Sequence, residues 1–242
     1  TVDIEYTVEE KPSDQLELSA GWGGFGGVIG TLGVSFNNFS MRNIFNKEAW
    51  RPLPQGDGQR LSLRAQTNGN FFQSYNISLT DPWLGGKKPN SFTVAGFYNR
   101  ISGLVRTQFL SILQGSASLG TRLKWPDDNF LSTTALNLQT LNLNNFQGFL
   151  GTFTDDAGNV INTGNYNNFS IRQTIARSTI YDPIFPREGS RVSLSVQFTL
   201  PYSLFSGKDF SDPDITPQER YRWLEYHKWR FDAEWYTPIV GK

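Results

Sequence analysis

The chain has 242 residues, enough for one large all-β unit or two small domains. Its 22 Lys and Arg balance 22 Asp and Glu, so no basic excess exists to track phosphates, and nucleic acid is not an expected partner. The absence of cysteine excludes disulfide frameworks, thiolate metal sites and cysteine nucleophiles, and a single histidine, His227, makes histidine-based zinc sites and triads hard to assemble.

The chain opens on an acidic alternating segment, residues 1–13, with Val2, Ile4, Tyr6 and Val8 on one face. It carries no charged n-region followed by an apolar core, so it is not a signal peptide, and the sequence is expected to start in mid-protein or after processing. A boundary is placed at Pro12–Asp14, and residues 14–242 form the second unit. The strand-like "LELSA" follows, and then Gly21, Gly23 and Gly26 satisfy the dinucleotide pattern G-x-G-x-x-G. That pattern carries chemistry only when a helix follows, because the pyrophosphate sits on the helix N-terminal N–H groups. Here "GVIGTLGVSFNNF" follows, with Val28, Leu32, Val34 and Phe36 set against Ile29, Thr31, Gly33 and Ser35. A period of two in glycine and β-branched residues is a strand. The segment is therefore read as two strands joined at a glycine-rich turn.

The same period recurs along the chain. "QRLSLRAQ" sets Leu61, Leu63 and Ala65 against Ser62, Arg64 and Gln66, and "SYNISLTDPWL" sets Tyr75, Ile77 and Leu79 against Asn76, Ser78 and Thr80. "RVSLSVQFTLP" and "KWRFDAEWYTP" repeat it, the latter with Trp229, Phe231, Ala233 and Trp235 opposite Lys228, Arg230, Asp232 and Glu234. About ten strands of the length a tilted membrane strand needs are expected. Their approximate spans are 15–23, 28–39, 59–69, 73–82, 90–101, 108–124, 131–145, 166–181, 190–201 and 220–237.

Every second connection holds proline and aspartate, as in "DPWLGGKKPN", "WPDDNF" and "YDPIFPREGS". Proline presets φ and aspartate caps its own backbone, so these are compact turns. The intervening connections include the long polar "LGTFTDDAGNVINTGN" and "SLFSGKDFSDPDITPQE". Short turns at one end and longer loops at the other is the asymmetry of outer-membrane barrels. "RNIFNKEAWRPLPQGDG" breaks it, being long on the short-turn side. Trp22, Trp83, Trp125, Trp223, Trp235 and Tyr236 gather near strand ends, which fits an interfacial aromatic girdle. Asp127–Asp128 and Asp155–Asp156 read as solvated turn acids, and His227 as a structural residue. No apolar run reaches the length of a membrane helix. No catalytic, cofactor or metal site is expected.

These stretches resemble the BamA family of outer-membrane β-barrel assembly proteins. "VDIEYTVEEKPSDQLELSAGWG" is similar to the junction where the last periplasmic POTRA domain leads into the first barrel strand. Val2, Ile4, Tyr6, Val8 and Glu10 sit in the family's V-x-V-x-Y-x-V-x-E places. "QSYNISLTDPWLGGKKPNS" resembles the family's fourth strand and its turn, and "DPIFPREGSRVSLSVQFTLP" the ninth strand and the turn before it. The family's V-R-G-F loop motif and its closing aromatic strand are not found. The resemblance implies an all-β, antiparallel up-and-down transmembrane barrel, incomplete at about ten of sixteen strands. Residues 1–13 would end a POTRA domain, and residues 14–242 would form the N-terminal portion of the barrel.

The function implied is non-enzymatic: folding and inserting barrel proteins at a lateral seam. In the family the first strand forms that weak seam, and the matching residues are Leu16, Glu17, Leu18, Ser19, Ala20, Gly21, Trp22 and Gly23. The partners implied are nascent outer-membrane proteins, accessory assembly lipoproteins and outer-membrane lipid, with the N-terminus on the periplasmic side. A porin or transporter, a TamA-like or two-partner secretion barrel, and a soluble glycan-binding sandwich remain alternatives at this stage.

Overall fold

A computed structural model describes residues 14–22, 27–50, 52–69, 71–86, 88–103, 105, 107–146, 154, 158, 160–207 and 215–239. The acidic segment 1–13, Gly23 and the pair Asp155–Asp156 lie outside them. Ten strands run in chain order: β1 Gln15–Trp22, β2 Val28–Phe39, β3 Gln59–Thr67, β4 Phe72–Asp81, β5 Ser91–Ser102, β6 Phe109–Arg122, β7 Phe130–Asn144, β8 Gly164–Ser178, β9 Gly189–Thr199 and β10 His227–Tyr236. Each pairs antiparallel with its sequence neighbours in one sheet ordered β1 to β10. The sheet is open: among the described residues β1 pairs only with β2, and β10 only with β9. The all-β, antiparallel up-and-down architecture that the resemblance implied is the one observed, as an open sheet.

Because side chains alternate along every strand, the register sorts them onto two faces. One row reads Leu16, Val34, Leu63, Ile77, Gly96, Gly115, Leu138 and Phe169 across β1 to β8. The next reads Phe36, Leu61, Leu79, Val94, Ala117, Leu136, Ile171 and Phe198 across β2 to β9. This apolar face is largely uncovered, with Ile77, Leu113, Leu138 and Phe231 all exposed. The opposite face carries Glu17, Gly33, Arg64, Asn76, Phe97, Gln114, Gln139 and Asn168 in one row. Many of its polar groups pair with one another, although Asn99 Oδ1, Asn137 Nδ2 and Asn168 Oδ1 are buried without a hydrogen-bond partner. Ser35 and Ser62 hydroxyls lie 3.0 Å apart, as do Thr80 with Thr93 and Thr174 with Ser195. Gln197 accepts from Arg172 at 2.7 Å and donates to Ser170 at 2.9 Å and to the Tyr226 hydroxyl at 2.7 Å.

At one end of the sheet the connections are 40–58, 82–90, 123–129 and 179–188; at the other they are 23–27, 68–71, 103–108, 145–163 and 200–226. We call these the turn end and the loop end. The proline–aspartate turns work as their residues predict. Asp81 Oδ1 accepts from the Trp83 N–H, Asp127 Oδ1 from Asn129, and Asp182 Oδ1 from Ile184 and Phe185. The asymmetry in length comes from the last two loop-end connections alone, since the first three are as short as turns.

The loop end holds the only cluster of buried apolar residues among those described. Leu110, Leu143, Phe146 and Tyr166 pack with Ile101, Leu141, Ile161 and Tyr221. All the strand members of this cluster sit on what is otherwise the polar face. Along β7 the apolar phase slips by one residue, from Leu136 and Leu138 on the apolar face to Leu141 and Leu143 on the other. The backbone does not slip, because β7 and β8 stay in continuous register from Phe130–Arg177 to Leu143–Gly164. The faces thus exchange character towards the loop end, where Thr140, Asn142, Asn165 and Asn167 take the outside. A strand that leaves hydrocarbon for water must make this exchange: its outer side becomes polar and its inner side packs under the long connections.

Among its described residues, connection 200–226 contains two short helical segments, α1 Tyr202–Ser206 and α2 Pro217–Arg220. Its residues 222–224 then lie along the part of β8 that β9 does not reach. Asn167 N–H donates to Arg222 O at 2.7 Å, and Leu224 N–H to Asn167 O at 2.9 Å. This covers backbone groups that an overhanging strand edge would leave unpaired.

Candidate functional site: the first strand and its edge

β1 begins just after Asp14. Asp14 Oδ1 accepts from the Asn37 N–H at 3.2 Å, which fixes the start of the first hairpin. From there Gln15 pairs with Ser35 and Trp22 with Val28. All eight residues of β1 are exposed. Leu16, Leu18, Ala20 and Trp22 continue the apolar face, while Glu17, Ser19 and Gly21 continue the polar one. Gly21 has open space where a Cβ would stand, and its φ lies outside the left-handed region. It is therefore glycine without a steric need, and its effect is to lighten the strand.

One side-chain tether crosses from β1 to the rest of the polar face. Arg64 Nη2 donates to Glu17 Oε1 at 3.1 Å, spanning β2 from β3. The residue between them in the row is Gly33. A Cβ there would stand 3.1 Å from Glu17 Oε2 and 3.3 Å from Glu17 Cβ. The absent side chain at Gly33 is what lets the carboxylate lie across β2. Both partners are more than half exposed, so the contact is a weak latch worth about 0–1 kcal/mol. Nothing local in the sequence marks this pair, because Glu17 and Arg64 meet only through the register of three strands.

The expected girdle residues spread over both ends. Trp22 stands at the loop end of β1 on the apolar face. Trp83 and Trp125 lie in turn-end connections, and Trp235 on the apolar face at the turn end of β10. All four are exposed. Trp223 sits in connection 200–226 against the Tyr202 ring, with centroids 4.5 Å apart. Burial and the nearby Glu225 push the Tyr202 hydroxyl above its usual pKa. Tyr236 follows Trp235, so alternation places it on the polar face.

Two further aromatic contacts flank the apolar band. Tyr75 stacks on Tyr98 at 6.3 Å, and the Arg100 guanidinium lies 4.2 Å from the Phe109 ring centre. At the turn end Arg177 Nε donates to Asp127 Oδ2 at 2.8 Å. That hydrogen bond is the main reason the Asp127 carboxyl is held below its ordinary value. His227 occupies the apolar face opposite Phe198. No group of three or more His, Asp or Glu able to hold a metal occurs among the described residues. On the apolar band, Gln173 is satisfied within the sheet, accepting from Thr134 at 2.6 Å and donating to Ser132 at 2.8 Å.

A sheet with one apolar, uncovered face and one polar, hydrogen-bonded face is a membrane barrel wall turned between lipid and lumen. The sequence matches the model of the Omp85 superfamily domain over residues 55–242. The chain belongs to the Omp85 superfamily. Its fold is similar to the crystal structure of BamA from Haemophilus ducreyi lacking POTRA domains 1–3, at a TM-score of 0.54 and 17% identity. That match covers 80% of this chain and 35% of the BamA chain, so the sequence spans about a third of that relative's length. No curated protein sequence matches it. As an Omp85 barrel wall, the chain works without enzymatic chemistry. Its apolar face is the lipid side, and its polar face is the lumen side.

Proposed function

We propose that this chain is the N-terminal part of a BamA-type barrel that folds and inserts outer-membrane proteins, with β1 as the client-pairing strand. The feature that supports this reading is the make-up of β1 itself: eight residues, a glycine at position 21 that no contact requires, and one exposed latch from Glu17 to Arg64. Unpaired N–H and C=O groups cannot stay in hydrocarbon, so a nascent strand gains free energy by pairing with an edge that opens to it. An edge that must open repeatedly works best when its own pairing is weak. In this reading residues 1–13 end a POTRA domain in the periplasm. The turn end then faces the periplasm and the loop end the cell exterior. The partners are nascent barrel strands, accessory assembly lipoproteins and outer-membrane lipid.

Photo-crosslinking in cells tests it. A crosslinker at Ser19, in β1, should capture nascent outer-membrane proteins, while one at Gln139, mid-lumen on β7, should not. Equal capture at both positions, or none at Ser19, would reject the role of β1. Capture of a single secreted partner instead would favour a translocation barrel of the same superfamily.

A further inference from the structure

The connection 40–58 is long for its end of the sheet, and the seam strand makes no use of it. It is nonetheless a folded element. Ser40 is fully buried, its Oγ donating to Asp57 at 2.7 Å and its N–H to Pro54 O at 2.9 Å. Asn43 Nδ2 donates to Gln55 O at 2.9 Å, and Trp50 Nε1 to Ile44 O at 3.2 Å. The Met41 N–H donates to Gln59 Oε1 at 2.9 Å, and Gln59 in turn donates to Asp81 at 3.0 Å, which ties the connection to β3 and β4.

Two 3-10 turns, Arg42–Phe45 and Lys47–Ala49, form its outer part. Residues three apart eclipse in such a turn, so Met41 shares a side with Ile44, and Arg42 with Phe45. Met41 and Ile44 wall a groove of about 510 Å³ whose other walls include Leu61, Leu79, Phe92 and Val94. Those four are lipid-facing residues of β3, β4 and β5. Phe45 is 96% exposed although the segment bearing it is tightly hydrogen-bonded. Trp50 and Met41 are also exposed.

From this we infer that connection 40–58 is an interfacial foot, seated in the headgroup–acyl boundary of the leaflet at the turn end. Phe45 enters that boundary, at the depth of about 5–10 Å typical of interfacial apolar side chains. Met41 and Ile44 lie against a phospholipid chain held in the groove. Arg42 and Lys47, both exposed, meet headgroup phosphates at the rim. The occupant is phospholipid because the groove is continuous with the surface that lipid already covers, and the two turns beside it carry exposed Arg42 and Lys47 with one exposed acid, Glu48. The inference rests on the membrane placement of the barrel, and not on the role of β1.

The test uses the full-length protein in nanodiscs of phosphatidylethanolamine and phosphatidylglycerol. These 242 residues hold no cysteine, so Phe45→Cys takes one fluorescent label within them, and Leu136→Cys gives a reference label on the lipid-facing band. Heat-modifiable mobility on gels verifies that both variants fold. The label at 45 should shift to the blue and be quenched more by nitroxide lipids labelled near the headgroup than by aqueous iodide. Stronger quenching by iodide would overturn the inference. So would shielding from both quenchers, which would mean that protein covers the foot. If the label at 136 is also untouched by lipid quenchers, the membrane placement itself fails and the foot with it.

Discussion

β1 and β7 are strands of the same antiparallel sheet, and they are held in opposite ways. β1 has 8 residues, one neighbour among the described residues and no buried side chain. β7 has 15 residues and is flanked along its length by β6 and β8. Side-chain hydrogen bonds reinforce β7 on its outer face, and on the other face its loop end is locked into a small apolar core. Cross-strand pairs contribute roughly 0.2–1 kcal/mol each, so their number separates a strand that stays from one that leaves. The difference teaches that a barrel wall need not be uniformly stable. Strand length is greatest in β6 to β8 and least in β1.

The largest effect should come from weakening the strong region. Leu143 is 3% exposed within the loop-end core, so Leu143→Ala should cost about 2–5 kcal/mol. Urea unfolding in detergent measures it, and a cost near zero would mean that the core does not anchor β7. The contrast should narrow when the weak region is strengthened. Gly21→Val meets no neighbour and should raise strand preference by up to about 1 kcal/mol. The expected outcome is normal folding of this barrel with slower insertion of client proteins, read as outer-membrane protein levels in cells. Unchanged levels would separate glycine content from function.

A smaller effect is expected from Glu17→Gln, which removes the latch across Gly33. Overall stability should change by less than about 1 kcal/mol, while a spin label on β1 should gain mobility. No gain would show that the latch holds nothing. Smallest of all is the acid response of the β6–β7 turn. Asp127 titrates below its ordinary value because Arg177 stabilises its charged form. A depressed folded-state pKa gives stability that is present above the unfolded value, near 3.8, and lost as pH falls through the folded one. Trp125 emission should therefore stay flat through neutral pH and respond only below about pH 4. Asp127→Asn should abolish the response.

Much of this was legible in the residues. Alternation located all ten strands, and the aspartates at 81, 127 and 182 announced the turns they cap. Four things were missed. Residues 220–226 alternate like the start of β10, yet they cover the overhang of β8, since a bridging segment and a strand share one pattern. The exchange of faces along β7 is written in the step from Leu138 to Leu141, but only the continuous backbone register tells it from a bulge. Strict alternation separates Tyr236 from Trp235, although grouping by residue type puts them together. The latch from Glu17 to Arg64 has no local signature at all. At the site, the glycine-rich first hairpin was visible, whereas the contrast with β7 that gives it meaning needed the pairing of the whole sheet.

Amide hydrogen exchange of the full-length barrel in nanodiscs tests the central claim most directly, because it reads local opening strand by strand. The account predicts that amides of Leu16–Trp22 exchange at least about 100-fold faster than those of Thr133–Asn142, a gap of roughly 2.7 kcal/mol in opening free energy. Equal protection of the two strands would contradict it.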